Sequence, residues 1–290
     1  MGGDQVVVTQ SGFVTPPASA VQIERTDAGG DARRPVALVT GTAQGLGSVI
    51  VEHLAREGFD VVANDLVVDD RLERVCEAAR AAGARAAPLA FDISRTEDAA
   101  AFTAKAAVAF GSIDCLVNNA AVSVLSRGDI LDVSAESFDR SFNVNLRGTF
   151  FLTQQVARWM LANKASAPRS RRRSIITISS VGVEHMVGRQ VTEYCLAKSA
   201  LVVMTKHFAV RLVTEGIDCY DVRPGMMQTS MTESSREKYD GLIANGHVPA
   251  NRWGQLGEVA ATIASLANGA LRYSVGQTIH VDGGMALKPF

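Results

Sequence analysis

The chain has 290 residues, 47% of them hydrophobic and 20% charged, and its formal net charge is -1. This composition is sufficient for one large core, and the near-zero charge excludes a general attraction to nucleic acid or to an anionic membrane surface. The four cysteines form neither a Cys-x-x-Cys motif nor a Cys/His cluster, which argues against a disulfide framework and a bound metal and indicates a reducing compartment.

The N-terminal region differs in composition from the rest of the chain. Residues 1–34 contain TPPAS and DAGGDARR, and they show no helical or strand period. We predict a poorly ordered arm there, with a regulatory or partner-binding tail as the alternative. The first ten residues lack the basic start and apolar segment of a secretory signal, and no apolar run is long enough to span a bilayer. We therefore expect a cytoplasmic protein.

From residue 35 onward, short β-branched segments alternate with segments of helical period. Strands are predicted at residues 36–40, 61–65, 85–92, 113–119, 173–180, 217–222 and 277–284, and helices at 45–57, 70–82, 96–110, 135–161, 192–215 and 258–268. This alternation is typical of a parallel sheet covered by helices on both faces. We predict one α/β domain, residues 35–290, with a Rossmann-type, doubly wound sheet of about seven parallel strands.

One connection between predicted strands is longer than the others. Residues 226–255 are polar and contain several methionines. A long excursion in a compact α/β domain usually covers an active site. We predict a substrate lid here, with a plain connection as the alternative.

A glycine-rich turn joins the first predicted strand to the first helix. In TGTAQGLG, the residues Gly41, Gly45 and Gly47 allow the chain to turn tightly and approach a pyrophosphate, and Gln44 and Leu46 complete the loop. The free N–H groups of the following helix would face that anion. Glycine is also the ordinary turn residue, so the prediction of a dinucleotide site depends on the strand–turn–helix context.

The second predicted strand ends at Asp65, eighteen residues after Gly47. A carboxylate at this place accepts hydrogen bonds from the adenosine ribose and repels a 2′-phosphate. The glycine loop contains no Lys or Arg to hold such a phosphate. The sequence therefore favours NAD over NADP as the cofactor.

The next two strands end on the same edge. Asp92 and Ile93 follow the third strand, where they would flank the adenine, and Asn118 and Ala120 follow the fourth, where small residues allow the backbone to approach the cofactor. In open parallel sheets, ligands bind beyond the carboxyl ends of the strands. We therefore predict that all four residues contact the cofactor.

Tyr194 and Lys198 lie four residues apart in a predicted helix, which places both side chains on one face. The spacing arises often by chance. The functional alternative is that the ammonium makes the phenol easier to deprotonate, which gives a proton donor and acceptor usable near neutral pH. The pair alone does not decide between these readings.

The motifs taken together resemble the short-chain dehydrogenase/reductase family. They are Thr-Gly-x-x-x-Gly-x-Gly at residues 40–47, Asn-Asn-Ala at 118–120, Asn-Leu-x-Gly at 145–148, a serine at 180, Tyr-x-x-x-Lys at 194–198 and Pro-Gly at 224–225. They occur in order between residues 35 and 290. Within the family, FDRSFNVNLRGTFFLTQ and YSVGQTIHVDGG are most similar to sequences named 3-oxoacyl-[acyl-carrier-protein] reductases.

The resemblance implies a role for each matching residue. Tyr194 would exchange a proton with the substrate oxygen, Lys198 would lower the pKa of Tyr194 and bind the nicotinamide ribose, and Ser180 would hydrogen-bond the substrate oxygen. Asn145 would hold a water that links Lys198 to solvent. The nicotinamide and its phosphate side would be held by Pro224, Gly225, Met227 and Thr229, in addition to Tyr194 and Lys198.

We therefore expect an NAD(H)-dependent oxidoreductase that interconverts a secondary alcohol and a ketone, similar to the 3-oxoacyl-[acyl-carrier-protein] reductases. The substrate would be a small ketone or alcohol, either free or linked to a carrier. Because those reductases generally use NADPH whereas Asp65 favours NAD, an NAD-dependent sugar or polyol dehydrogenase is the alternative. A non-catalytic dinucleotide-binding protein is a more distant one. The resemblance also implies a homotetramer.

Overall fold

The computed structural model describes residues 33–164, 172–184, 190–230 and 232–287. Residues Asp31–Phe290 group into one compact unit. Of the predicted N-terminal arm, only Arg33 and Arg34 belong to the described residues, so the prediction of poor order for 1–32 lies outside them.

The predicted seven-stranded parallel sheet is confirmed. Its strands run in the spatial order β3-β2-β1-β4-β5-β6-β7, and each neighbouring pair is parallel. This doubly wound order places the carboxyl ends of all strands on one edge. The strands are β1 Val36–Thr40, β2 Asp60–Asp65, β3 Ala86–Ala90, β4 Cys115–Asn118, β5 Arg173–Ile178, β6 Ile217–Pro224 and β7 Thr278–Val281.

Helices cover both faces of the sheet, as the alternating pattern predicts. One face packs against α1, α2 and α8, and the other against α3, α5 and α6, each over its own apolar cluster. The described helices are α1 Gly45–Arg56, α2 Asp70–Ala81, α3 Ala99–Phe110, α4 Ala135–Phe142, α5 Thr149–Ala162, α6 Thr192–Leu212, α7 Arg236–Ala244 and α8 Leu256–Ala267.

The strand β1 shows why a continuous apolar run is needed at the centre. Ala37 and Val39 belong to the cluster on one face, and Val36 and Leu38 to the cluster on the other, and all four are fully buried. Successive side chains of a strand point to opposite faces, so a strand between two helical layers must be apolar at every position. Each large side chain buried in this way contributes roughly 1.5–3 kcal/mol.

Two segments differ from the sequence prediction. The predicted helix 135–161 is divided: α4 ends at Phe142, a π-helical segment Asn143–Gly148 follows, and α5 begins at Thr149. The second is residues 226–255, whose described part contains the helix α7. Within the part of the chain that the structure describes, no helix combines the length and apolarity needed to cross a membrane.

Candidate active site

The glycine turn between β1 and α1 is packed so closely that two of its glycines admit no side chain. A Cβ on Gly47 would lie 2.0 Å from the carbonyl oxygen of Gly41, and one on Gly41 would lie 2.7 Å from the Cα of Ala120. Gly45 differs: it has φ of +61° and open space where a Cβ would project. The turn therefore presents bare backbone at the start of α1, which fits a bound pyrophosphate.

The turn is held in place by Asn119, a residue that the sequence prediction missed. Its Nδ2 donates to the carbonyl oxygens of Thr40 and Gly41 at 2.9 and 2.8 Å. In return, the hydroxyl of Thr40 accepts from the backbone N–H groups of Asn119 and Ala120 at 3.1 and 3.0 Å. The strand end β4 is thereby fixed to the glycine turn. The Asn-Asn pair in the sequence gives only a weak indication of this bracing, because it does not show which of the two side chains reaches the glycine turn.

Asn118 is the buried neighbour with a different role in the structure. Its Nδ2 donates to the hydroxyls of Thr153 and Thr177 at 2.9 and 3.2 Å, and its buried Oδ1 has no hydrogen-bond partner among the described residues. It therefore braces β4 against β5 and α5. The contact with the cofactor that the sequence predicts for Asn118 stays a prediction.

Asp65 lies at the end of β2, beside the glycine turn. Its two carboxylate oxygens accept from the backbone N–H groups of Ala43 and Leu66, each at 2.8 Å. The carboxylate is thus fixed next to the loop, while Gln44 is exposed. At the end of β3, Asp92 accepts from the backbone and the hydroxyl of Ser94, which makes a turn, and Ile93 beside it is buried.

The predicted chemical residues converge at the carboxyl end of β5. Tyr194 and Lys198 lie on the first turns of α6, and the Nζ of Lys198 is 5.8 Å from the centroid of the Tyr194 ring. Lys198 is buried and donates to the carbonyl oxygen of Ile178 at 2.7 Å. Ser180 follows β5, and its hydroxyl acts on the Tyr194 phenol so as to lower the pKa of that phenol.

The two serines after β5 are distinguished by their contacts. Ser180 begins a short 3₁₀ turn, Val181–Val183, and its hydroxyl accepts from the N–H of Gly182 at 3.2 Å. Ser179 is buried and accepts from the Nε of Arg223 at 3.5 Å. The serine that the sequence assigns to chemistry is therefore the one that faces Tyr194, and the other is part of the packing.

Burial changes the acidity of both Tyr194 and Lys198. It raises the pKa of Tyr194 to about 12, and the Ser180 hydroxyl opposes the shift. The lowering of the Tyr194 pKa that the family resemblance implies for Lys198 stays a prediction. Burial also lowers the pKa of Lys198 to about 8, against the field of Asp221. The reason is that both groups are withdrawn from water, and the ammonium is directed at a backbone carbonyl.

Asn145 lies in the π-helical segment rather than in a regular helix. Its Oδ1 accepts from the N–H of Val122 at 2.8 Å, and its Nδ2 donates to the carbonyl oxygen of Val122 at 3.0 Å and to the hydroxyl of Ser141 at 3.1 Å. The side chain thus pairs with the loop after β4 on both of its edges. Single π-helical turns occur frequently at functional sites, because they re-aim a side chain or a carbonyl.

The Pro-Gly pair ends β6 beside β7. A Cβ on Gly225 would lie 2.6 Å from the Cα of Asp282, so the two strand ends are in close contact. Met227 is buried, and Thr229 donates its N–H to the hydroxyl of Thr232 at 3.0 Å. With Pro224, these residues lie around the end of β6 and the start of the connection 226–255.

Known proteins are similar to this chain in sequence and in fold over most of its length. The family described as Enoyl-(Acyl carrier protein) reductase matches residues 41–286. The chain belongs to the short-chain dehydrogenase/reductase family. As such it is an oxidoreductase that acts on CH–OH groups and binds a nicotinamide dinucleotide.

The alignments with individual relatives cover nearly the whole length of those relatives. The 3-oxoacyl-[acyl-carrier-protein] reductase FabG of Thermotoga maritima is 32% identical over 253 residues, which cover 87% of this chain and 98% of that protein. The 2-dehydro-3-deoxy-D-gluconate 5-dehydrogenase of Dickeya dadantii is 32% identical over 250 residues, or 86% and 94%.

A solved structure is similar as well. The 3-oxoacyl-[acyl-carrier protein] reductase from Brucella melitensis, in complex with NAD, is 39% identical with a TM-score of 0.84 and covers 90% of this chain and 100% of that one. The family prediction made from the sequence motifs is thus confirmed, and so is the predicted similarity to the 3-oxoacyl-[acyl-carrier-protein] reductases.

Proposed function

We propose that this short-chain dehydrogenase/reductase is an NAD(H)-dependent reductase of 3-oxoacyl thioesters. The observation that carries the proposal is the convergence of Ser180, Tyr194 and Lys198 at the strand edge that also carries the glycine turn and Asp65. Several 3-oxoacyl-[acyl-carrier-protein] reductases are among its relatives, and the similar structure from Brucella melitensis contains NAD. The sugar or polyol alternative has less support.

The protonated phenol suits the reduction step. With a pKa raised to about 12, Tyr194 carries its proton throughout the neutral range. It can therefore donate that proton to the ketone oxygen as that oxygen gains charge, while the Ser180 hydroxyl donates a hydrogen bond to the same oxygen. The nicotinamide ring, when bound, supplies the hydride.

Lys198 would assist the proton transfer from Tyr194 and would not contact the substrate itself. Its ammonium, 5.8 Å from the Tyr194 ring, stabilises the phenolate that forms after proton transfer. The side-chain amide of Asn145 already binds Val122 and Ser141. The relay water expected from the family resemblance would therefore be held by the backbone carbonyl of Asn145. Pro224, Gly225, Met227 and Thr229 would bound the nicotinamide side.

Asp65 supports NAD as the preferred cofactor. Its carboxylate is fixed by two backbone N–H groups at the place where the adenosine ribose would lie. A 2′-phosphate there would meet a full negative charge.

The proposal also includes a lid role for residues 226–255 and a homotetramer. The homotetramer is supported by exposed apolar residues along α6, among them Val203 and Val210.

A substrate comparison tests the proposal. Acetoacetyl thioester would be offered with NADH and with NADPH, and a panel of sugars, polyols and 2-dehydro-3-deoxy-D-gluconate with the matching dinucleotide, all followed by NADH absorbance. We expect the highest kcat/KM for the thioester with NADH. Preference for a sugar substrate would refute the thioester assignment, and preference for NADPH would refute the cofactor assignment.

A further inference from the structure

Tyr239, on the lid helix α7, lies beside the catalytic residues although it is far from them in sequence. Its side chain is 9% exposed and belongs to an apolar cluster that includes Val181 and Met226. Val181 directly follows Ser180, and Met226 directly follows Gly225. Tyr239 therefore shares an apolar cluster with the residue after Ser180 and with the residue after Gly225.

The position of the Tyr239 ring is fixed by its neighbours on the lid. Its ring centroid is 5.8 Å from that of Trp253, with the planes inclined by 60°. The indole N–H of Trp253 donates to Asp240 at 2.7 Å, and the following N–H, of Gly254, donates to the carbonyl oxygen of Met226 at 2.9 Å. A phenol held in this way is pre-organised, so little entropy is lost when it binds a ligand.

The Tyr239 hydroxyl has no hydrogen-bond partner among the described residues. The rest of its cluster is apolar and consists of Val181, Met226, Ile243, Val248 and Met285. The Tyr239 oxygen is not among the described side-chain atoms that are buried without a partner, so it is open to solvent or to a ligand. Tyr239 shares its cluster with Val181, the residue after Ser180, and it acts electrostatically on the Tyr194 phenol. A donor that is free to bind a ligand thus lies near the reacting end of the site.

We propose that Tyr239 is a specificity-determining residue that donates a hydrogen bond to the second oxygen of a 1,3-dicarbonyl substrate. The reacting ketone oxygen would be bound by Ser180 and Tyr194, and the Tyr239 hydroxyl would bind the thioester carbonyl two carbons away. The apolar members of the cluster would contact the acyl chain. This assignment rests on the proposed function, since it identifies the group that distinguishes a 3-oxoacyl thioester from a simple ketone.

The test compares two substrates in two variants. Tyr239→Phe removes only the hydroxyl and keeps the ring contact with Trp253, and Tyr273→Phe, at a fully exposed tyrosine, is the matched control. Each is assayed with acetoacetyl thioester and with heptan-2-one, which has no second carbonyl. If heptan-2-one is not turned over, its inhibition constant against the thioester gives the same comparison.

We expect Tyr239→Phe to lower kcat/KM for the thioester about tenfold, as one lost hydrogen bond would, and to leave the value for heptan-2-one within twofold. The control should change neither. An equal loss for both substrates would mean a structural role and overturn the assignment, as would no loss for either. If the wild-type protein fails to reduce the thioester at all, the proposed function is wrong and the assignment of Tyr239 falls with it.

Discussion

The two halves of the sheet build their parts of the site in different ways. On the β1–β2 side, the site is made by backbone atoms and one carboxylate, and all of it lies between Gly41 and Leu66. On the β4–β7 side, the proposed functional groups are side chains from distant segments, such as Asn145, Tyr194 and Tyr239. The first half recognises a ligand part common to the whole family, and short segments suffice for it. The second half needs the tertiary fold.

Loss of the proton donor should have the largest effect on the second half. We expect Tyr194→Phe to reduce turnover by about 10²–10⁴-fold, since general acid catalysis contributes on that order. Dinucleotide affinity should stay within a fewfold of wild type, because the phenol hydroxyl is remote from the glycine turn. Steady-state kinetics and fluorescence titration with NADH measure the two quantities. Turnover that survives in this variant would exclude Tyr194 as the proton donor.

A methyl group in the glycine turn should break the first half. In Gly47→Ala the new Cβ would meet the Gly41 carbonyl oxygen at 2.0 Å, so the turn must open. We expect a loss of about 3 kcal/mol in dinucleotide binding or in the free energy of unfolding, at the upper end of overpacking costs. Gly45→Ala is the control.

In the Gly45→Ala control the Cβ enters open space and the cost comes only from φ of +61°. We expect about 1 kcal/mol for it, which is the order of left-handed backbone strain. Calorimetric titration and thermal unfolding distinguish the two variants. Equal losses for both would contradict the packing that the structure shows at Gly47.

Asp65→Ser should alter cofactor choice within the first half and leave the second untouched. Removal of the carboxylate frees the N–H groups of Ala43 and Leu66 and ends the repulsion of a 2′-phosphate. The adjacent groove between α1 and α2 is lined by Arg74, which would then attract the phosphate, and by Arg71, which is paired with Asp69. We expect the ratio of kcat/KM for NADPH over NADH to rise about 100-fold, equivalent to two favourable charge interactions.

Addition of Arg74→Ala to this variant should remove part of the gain in NADPH preference. Kinetics with both dinucleotides at a fixed substrate concentration measure the effect. An unchanged ratio in Asp65→Ser would show that Asp65 does not select the cofactor.

The smallest effect concerns stability in the second half. Burial lowers the pKa of Lys198 from its usual 10.5 to about 8. Between these values the unfolded chain holds a proton that the folded protein has released, so the free energy of unfolding rises with pH across this window. Below about pH 8 the buried ammonium lowers stability by its full amount.

Lys198→Met should therefore stabilise the protein by about 2 kcal/mol at pH 7, although it removes activity, and should gain less at pH 10. Thermal unfolding at the two pH values measures this. A variant that is destabilised equally at both would mean that the hydrogen bond from Lys198 to Ile178 outweighs the cost of burial.

The sheet and its strand order follow from local patterns, and so they could be predicted. Each strand is a short β-branched run, and each face of β1 needs an apolar residue at every position. The π-helical segment could not, because the sequence from 135 to 161 keeps one helical period and the extra residue per turn is imposed by contacts with Val122. The hydrophobic period shows which residues of a helix are buried, but it does not show where the helical hydrogen-bond pattern changes.

The places of Gly41, Asp65 and Ser180 at the ends of β1, β2 and β5 could be predicted, because a motif alone fixes them, and their roles stay predictions. Parts of the site were missed where the partner is distant in sequence. Asn119 was overlooked because its role depends on the approach of β4 to β1, and Tyr239 because a helix within 226–255 has little sequence signal of its own. The effect of burial on the pKa of Tyr194 could not be predicted, since desolvation depends on the fold, which spacing does not show.

The short parallel bridge between Met227 and Gly254 ties the two ends of the long connection together. A closed loop of this kind is anchored at its base, so residues 228–253 can change in length or composition while the nicotinamide wall beneath stays in place. Substitutions in this segment, whether natural or engineered, can then change substrate specificity while the catalytic residues stay the same.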